Sequence, residues 1–382
     1  MNSLTQRLRQ AIPCGLMLNR IFYPVLAAAV STCAFAQAPT AKPAEAPKAA
    51  EAPKPPEAFI KAKEASDKGD FAAALKFLTA EAEKGNFDAM SAVAEFYFAG
   101  RGVTASAETG LKWLSKAADG GHAPAQTMLA GVLFRGTAGV KKDEERARFL
   151  LLQAAEGGYA PAQYDAGAMA EAAVDSKSRE PNWKEPRAWY EKAAFQGNPD
   201  ALLAMVRFYD QGLGGSADTE KGTAACLAAA KAGSVVAMNE MGVRYQRGQG
   251  IQQDAVAAIG WLTLATQHGL ATAFINLGNC YEMGNGVRVD MGRAGELYGA
   301  AAKAGNPVAQ MIIARLFEDG KGTPKNPAYA YVNYTRAATG GLEEAAKKRD
   351  AIKATLTPAQ LKEAEGLLSG AAAKPDAPKK KK

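Results

Sequence analysis

The side chains that most readily do chemistry at neutral pH are sparse here and lie far apart. The chain of 382 residues holds two histidines, His122 and His268, and four cysteines, Cys14, Cys33, Cys226 and Cys280. No Cys/His cluster has the spacing of a zinc site. The two histidines lie about four repeat lengths apart and cannot share a metal or relay a proton. Glycine is abundant, with 38 copies, but no glycine string follows a strand-like run, so a phosphate-cradling loop lacks its context. The Gly212-Leu213-Gly214-Gly215 run reads as a connector. What remains are polar side chains that recur in register: Arg207, Arg247 and Arg315, with Asp210, Glu282 and Glu318. Guanidinium groups hold carboxylates and carbonyls in a bidentate fork, so this pattern points to recognition rather than catalysis.

The elements that position them are repeats. Marker glycines stand at 85, 121, 158, 197, 233, 269, 305 and 341, each followed four residues later by an alanine. A fixed period in this range marks stacked helical units, none of which can bury its apolar face alone. Within Gly269–Gly305, Ala273, Leu277, Cys280 and Tyr281 fall on one helical face. Gly278 inside that helix is expected to let a partner helix approach, since glycine otherwise costs a helix about 1 kcal/mol. Gly284 is expected as a left-handed helix end and Asp290 as the cap of the second helix. Paired alanines (Ala117-Ala118, Ala154-Ala155, Ala193-Ala194, Ala229-Ala230, Ala301-Ala302, Ala337-Ala338) mark helix crossings. The large residues Tyr97, Tyr209, Tyr245, Tyr281 and Phe317 are expected as core. Trp113, Trp189 and Trp261 are expected as anchors of the second helices.

The string A-x-x-x-L-G-x-x-Y-x-x-G-x-G-V-x-x-D, followed by an aromatic and Ala-Ala-x-x-Gly, resembles the Sel-1-like repeat, a relative of the tetratricopeptide repeat. The resemblance spans about residues 59–345. It implies an all-α fold, a right-handed α-solenoid of about eight helix pairs, and a role in protein–protein scaffolding. In such stacks the first helix of each pair lines the concave surface. Its groove positions fall ten, thirteen and fourteen residues after each marker glycine: Glu95 and Phe98; Phe134 and Arg135; Glu171; Arg207, Asp210 and Gln211; Gln246 and Arg247; Asn279, Glu282 and Met283; Arg315, Glu318 and Asp319. This stripe is mixed in sign and suits a protein or extended peptide. Cysteine-rich secreted relatives are associated with binding or hydrolysing β-lactams. This chain lacks their cysteine pair in each repeat, so an enzyme ranks last, and no cofactor or metal is expected.

Two copies depart from the pattern. Residues 58–85 turn at a bare Lys68-Gly69. The copy after Gly158 has Ala173 and Asp175 where glycines belong and a longer connector, Val174–Pro186, where the stack is expected to bend or present a loop. Thr357-Pro358-Ala359-Gln360 reads as a capping box with proline at the first helical position, starting a closing helix over 358–368.

The ends set localisation. Residues 1–36 read as a secretory signal: Arg7, Arg9 and Arg20, an apolar run over 21–30, and Ala34-Phe35-Ala36 before the cleavage point. Lipid attachment at Cys33 is a lower-ranked alternative, because Thr32 fits a lipoprotein box poorly. The apolar run is too short to span a bilayer, so the mature chain is expected to be periplasmic or secreted, with no transmembrane span. Residues 37–57 form an Ala/Pro/Lys-rich linker, 58–345 the repeats, 346–370 the closing helices and 371–382 a Lys-rich tail. Of the net charge of +7, the signal carries +3 and the tail +4. The body is therefore neutral and offers no basic face to nucleic acid. A cell-wall polymer such as peptidoglycan, assisted by the lysine tail, is the alternative partner.

Overall fold

The computed structural model describes residues 56–136, 139–175, 178 and 181–369. The expected signal, its Cys33, nearly all of the linker and the Lys379–Lys382 run lie outside them. The described residues form eighteen α-helices and no strand. They fall into two compact units, divided after Asn198. The first holds α1 (Glu57–Asp67), α2 (Phe71–Glu83), α3 (Phe87–Ala99), α4 (Ala107–Asp119), α5 (Ala123–Arg135), α6 (Glu144–Glu156), α7 (Ala160–Ala173) and α8 (Lys184–Phe195). The second holds α9 (Pro199–Gln211), α10 (Thr219–Lys231), α11 (Val235–Arg247), α12 (Ala255–Gln267), α13 (Ala271–Met283), α14 (Met291–Lys303), α15 (Pro307–Asp319), α16 (Pro327–Thr339), α17 (Glu343–Lys353) and α18 (Pro358–Leu368). Within each unit each helix packs against the next in sequence, except that the last, α18, packs on α16 rather than on α17.

Each pair is built from the same local parts. The eight alanines that follow the marker glycines are all fully buried, 0% exposed. A bulkier side chain at any of them would overpack the crossing. Between the helices of a pair, the chain turns on one recurring bond. The backbone N–H of the second helix's cap residue donates to the carbonyl twelve residues after the marker glycine: Ser106 to Tyr97 (2.9 Å), Asp218 to Tyr209 (2.8 Å), Asp254 to Tyr245 (3.0 Å), Asp290 to Tyr281 (2.9 Å) and Asn326 to Phe317 (2.9 Å). These large residues are half-buried rather than core, because their backbone holds the turn and their rings sit at its edge. Asp290 then accepts from the Arg293 N–H at 2.9 Å and starts α14.

Gly284 closes α13 in the left-handed region (φ 76°) and donates to the Cys280 carbonyl at 2.9 Å. α7 ends instead at Val174 in an extended conformation. The long connector expected to bend the stack lies inside the first unit, and the division comes one helix later.

The tryptophans are half-buried, unlike the expected anchors. The residue after each is the buried one: Leu114 (0%), Tyr190 (3%) and Leu262 (0%). An indole at the crossing would hold the helices too far apart, so it lies on the flank; Lys192 Nζ stands 4.2 Å from the Trp189 ring. At the end of the second unit, Thr357 and Gln360 form the capping box that opens α18. α18 packs on α16 and buries Ala364. No helix of the described residues is long and apolar enough to cross a membrane.

Candidate functional site: the face of the first helices

The first helices of the pairs (α3, α5 and α7 in the first unit; α9, α11, α13 and α15 in the second) carry every expected groove residue. Successive ones meet directly: α3 with α5, α5 with α7, and α11 with α13. At the last of these, the Asn276 amide donates to Asn239 Oδ1 at 2.8 Å and Gln246 Nε2 lies 2.7 Å from Cys280 Sγ.

The carboxylates thirteen residues after the marker glycine are held by tyrosines of the second helix. The Tyr298 hydroxyl donates to Glu282 Oε2 at 2.7 Å and lies 2.7 Å from Asn279 Oδ1. Tyr334 donates to Glu318 at 2.5 Å, and Tyr190 to Glu171 at 2.9 Å. Burial first, and the carboxylate second, push the Tyr298 and Tyr334 hydroxyls well above the ordinary tyrosine range, so they remain protonated donors. The rings reach this place because the first helix is stripped there. A Cβ on Gly278 would stand 2.6 Å from Tyr298 Cε1, and one on Gly167 2.7 Å from Tyr190 Cδ1. The expected close approach at Gly278 is thus real, and its partner is a tyrosine.

Asp210 has a different partner. It is bound by Arg244 of α11, which is 0% exposed. Arg244 also donates to Thr223 Oγ1 at 2.9 Å and lies 3.3 Å from Glu240. Sequence reasoning missed Arg244, although a signal existed. It stands eleven residues after its marker glycine, where five other copies carry the buried apolar side chains Phe96, Val132, Phe208, Cys280 and Leu316.

The remaining expected residues divide. Arg207, Arg247, Arg315, Gln211 and Met283 are exposed. Among the described residues, neither Arg247 nor Arg315 forms an ion pair. The Arg315 charge acts on both Tyr298 and Tyr334, so Asn279, Glu282, Arg315 and Glu318 form one neighbourhood in the second unit. Asp319 pairs with Lys321 at 3.4 Å. In the first unit, Phe98 packs its ring where a Cβ on Gly110 would stand, and Lys142 lies 5.6 Å from the Phe134 ring. Arg135 is half-buried at the end of α5. Burial pushes Glu95 up to about 7 against the opposing charge of Arg101. His122, set aside in sequence, lies 3.1 Å from Asp88 and holds its carboxyl below the ordinary range. Cys226 and Cys280 are both buried free thiols, and burial pushes Cys226 up to about 12. No group of three or more His, Cys, Asp or Glu among the described residues could hold a metal ion.

The Sel1 repeat family model matches residues 87–122, 123–159, 187–198, 235–270, 273–306 and 307–342. No curated protein is a significant match. Among solved structures, the chain is similar to a protective antigen of uropathogenic Escherichia coli displaying an SLR fold. The two are 26% identical with a TM-score of 0.66, over 81% of this chain and 67% of that one. A Sel1 repeat protein from Oxalobacter formigenes is also 26% identical, with a TM-score of 0.59, over 77% of this chain and 85% of that one.

Proposed function

The chain belongs to the Sel1 repeat family, whose members are generally non-catalytic scaffolds, and on that premise we propose that it is an exported, non-enzymatic adaptor that holds a protein or extended peptide along its first-helix face. The observation that carries this reading is the neighbourhood on α13 and α15. Glu282 and Glu318 are each fixed by a buried tyrosine hydroxyl, and the exposed guanidinium of Arg315 beside them has no ion partner among the described residues. Groups fixed before binding lose little conformational entropy when a ligand arrives, and a guanidinium with unspent donors is a ready site for carboxylates and carbonyls.

Affinity capture from the native envelope, compared between the wild type and an Arg207→Ala/Arg247→Ala double variant, tests the surface. Each lost charge-assisted contact contributes about 1–3 kcal/mol. The same partner should therefore elute at lower salt from the variant while helicity and melting stay unchanged. Retention equal to wild type, together with binding to purified sacculi that depends on Lys379–Lys382, would replace the adaptor by a cell-wall polymer binder.

A further inference from the structure

The connector between α13 and α14 carries an open groove of about 510 Å³, lined by Tyr281, Val287, Arg288, Val289 and Asp290. That volume is in the range of ligand pockets, about 300–1,000 Å³. Its apolar walls are the half-buried Tyr281 and Val287 and the 56% exposed Val289. Its polar groups are Arg288 and Asp290. Among the described residues, the exposed Arg288 has neither a hydrogen bond nor an ion pair. Arg293, close by, is instead spent on Glu296 at 2.7 Å. Asp290 gives Oδ1 to the Arg293 N–H at 2.9 Å, and its Oδ2 accepts from none of the described residues.

The other copies show how the groove arises. In three of them the residue just before the cap of the second helix reaches back over the turn. Gln253 Nε2 donates to the Gln246 carbonyl at 2.8 Å. Lys142 Nζ lies 5.6 Å from the Phe134 ring. Lys325 Cγ stands 2.7 Å from where a Cβ on Gly320 would be. The corresponding residue here is Val289, a shorter side chain that packs against Gly284, with Cγ2 2.9 Å from where a Cβ would be. Ala105 and Ala217 are also short, but Thr104 and Ser216 precede them. Of the six connectors entered through a left-handed glycine, this one alone joins a short apolar residue before the cap to a cation two before it.

The groove therefore offers a guanidinium fork for a carboxylate, an apolar wall for a side chain, and a carboxylate oxygen for an N–H donor. A residue that ends a peptide presents all three from one Cα: its α-carboxylate, its side chain and its amide N–H. A carboxylate on an internal side chain has no N–H on the carbon that bears it. We propose that the groove between α13 and α14 holds the C-terminal residue of a peptide, one with an aliphatic or aromatic side chain, with its carboxylate on Arg288 and its N–H on Asp290. The site uses no residue of the first-helix stripe and stands whether or not that stripe is a binding surface.

Fluorescence anisotropy of the full chain with a fluorescein-labelled Gly-Ser-Gly-Ser-Ala-Leu peptide tests it. Saturable binding of the free acid is expected. Amidating the terminus should weaken it at least about tenfold by removing the charge-assisted pair. A terminal serine in place of leucine should weaken it several-fold by removing the apolar contact. Arg288→Gln should bring the free acid down to the affinity of the amide and leave the amide unchanged. Val289→Gln supplies the side chain that the α11–α12 copy carries at this place. It should lower binding several-fold while the melting temperature stays at the wild-type value. An amide that binds as tightly as the acid, or an Arg288→Gln variant that binds as wild type, would overturn the proposal. Free leucine that displaces the probe as well as the unlabelled peptide does would overturn the assignment to a peptide end. Binding lost in Arg207→Ala/Arg247→Ala but kept in Arg288→Gln would move the peptide end to the first-helix face and discard this groove.

Discussion

Gly278 and Tyr298 occupy one place: the hydrogen of the glycine stands where a methyl group would come within 2.6 Å of the tyrosine ring. The close crossing of α13 and α14, and the hydroxyl that reaches Glu282 on the far side, both follow from that missing carbon.

Gly278→Ala is therefore expected to destabilise the protein by about 1–3 kcal/mol through overpacking. Gly260, on α12, has nothing within 4 Å of its absent Cβ. Gly260→Ala should stabilise by about 0.5–1 kcal/mol through helix propensity alone. Urea unfolding of the two variants checks the pair, and equal shifts of the same sign would contradict the assigned crossing.

Glu95 should make stability depend on pH. Its carboxyl ordinarily titrates near 4.5, and burial lifts it to about 7 in the folded chain. Between those values the folded state holds a proton that the unfolded state has lost. The stabilisation is complete below pH 4.5 and disappears as pH rises through about 7. Glu95→Gln, which needs no proton, should remove that slope and stabilise the protein above pH 7 by ~1–3 kcal/mol. Melting temperatures of wild type and variant across pH 4–8 would show the two curves diverging toward high pH.

The periodic part of the molecule was legible in the sequence, and the pairings between periods were not. Marker glycines, buried alanines, the Asp290 cap and the Thr357–Gln360 box are local devices, each readable from a few neighbouring residues. Partners such as Tyr298 for Glu282, or Arg244 for Asp210, stand 16 and 34 residues apart. Their signal is covariation between copies of the repeat. Glu171, Glu282 and Glu318 go with Tyr190, Tyr298 and Tyr334, whereas Phe98 and Gln246 go with Leu114 and Leu262 at the corresponding places. A single copy carries none of this. The expected stripe treated each polar residue as facing solvent, and Glu282, Glu318 and Asp210 already have partners of their own.

Arg244 and Asp210 supply a double-mutant test. Arg244→Leu alone leaves the half-buried Asp210 carboxylate without its counter-charge and should cost about 1–3 kcal/mol. Arg244→Leu with Asp210→Leu removes both charges and should recover most of that loss. Chemical denaturation of the four corner proteins gives the coupling energy, and additivity would mean that the two side chains do not share one environment.

Export is checked at the N-terminus. The protein recovered from the envelope should begin at Gln37. A chain starting at Met1, or a diacylated Cys33, would overturn the proposed soluble exported form.

Repeat arrays change over generations by gaining or losing whole units, because each unit usually needs only a generic neighbour. Arg244 breaks that freedom at one joint. It sits in a slot that accepts an apolar side chain in other copies, and the closer of its two counter-charges comes from the copy before it. A duplication, deletion or shuffling event at that joint would leave an ion in the interior with only the part-exposed Glu240 of its own helix as a mate. The order of those two copies is in effect written into the array, and descendants of this chain should vary in repeat number everywhere except there.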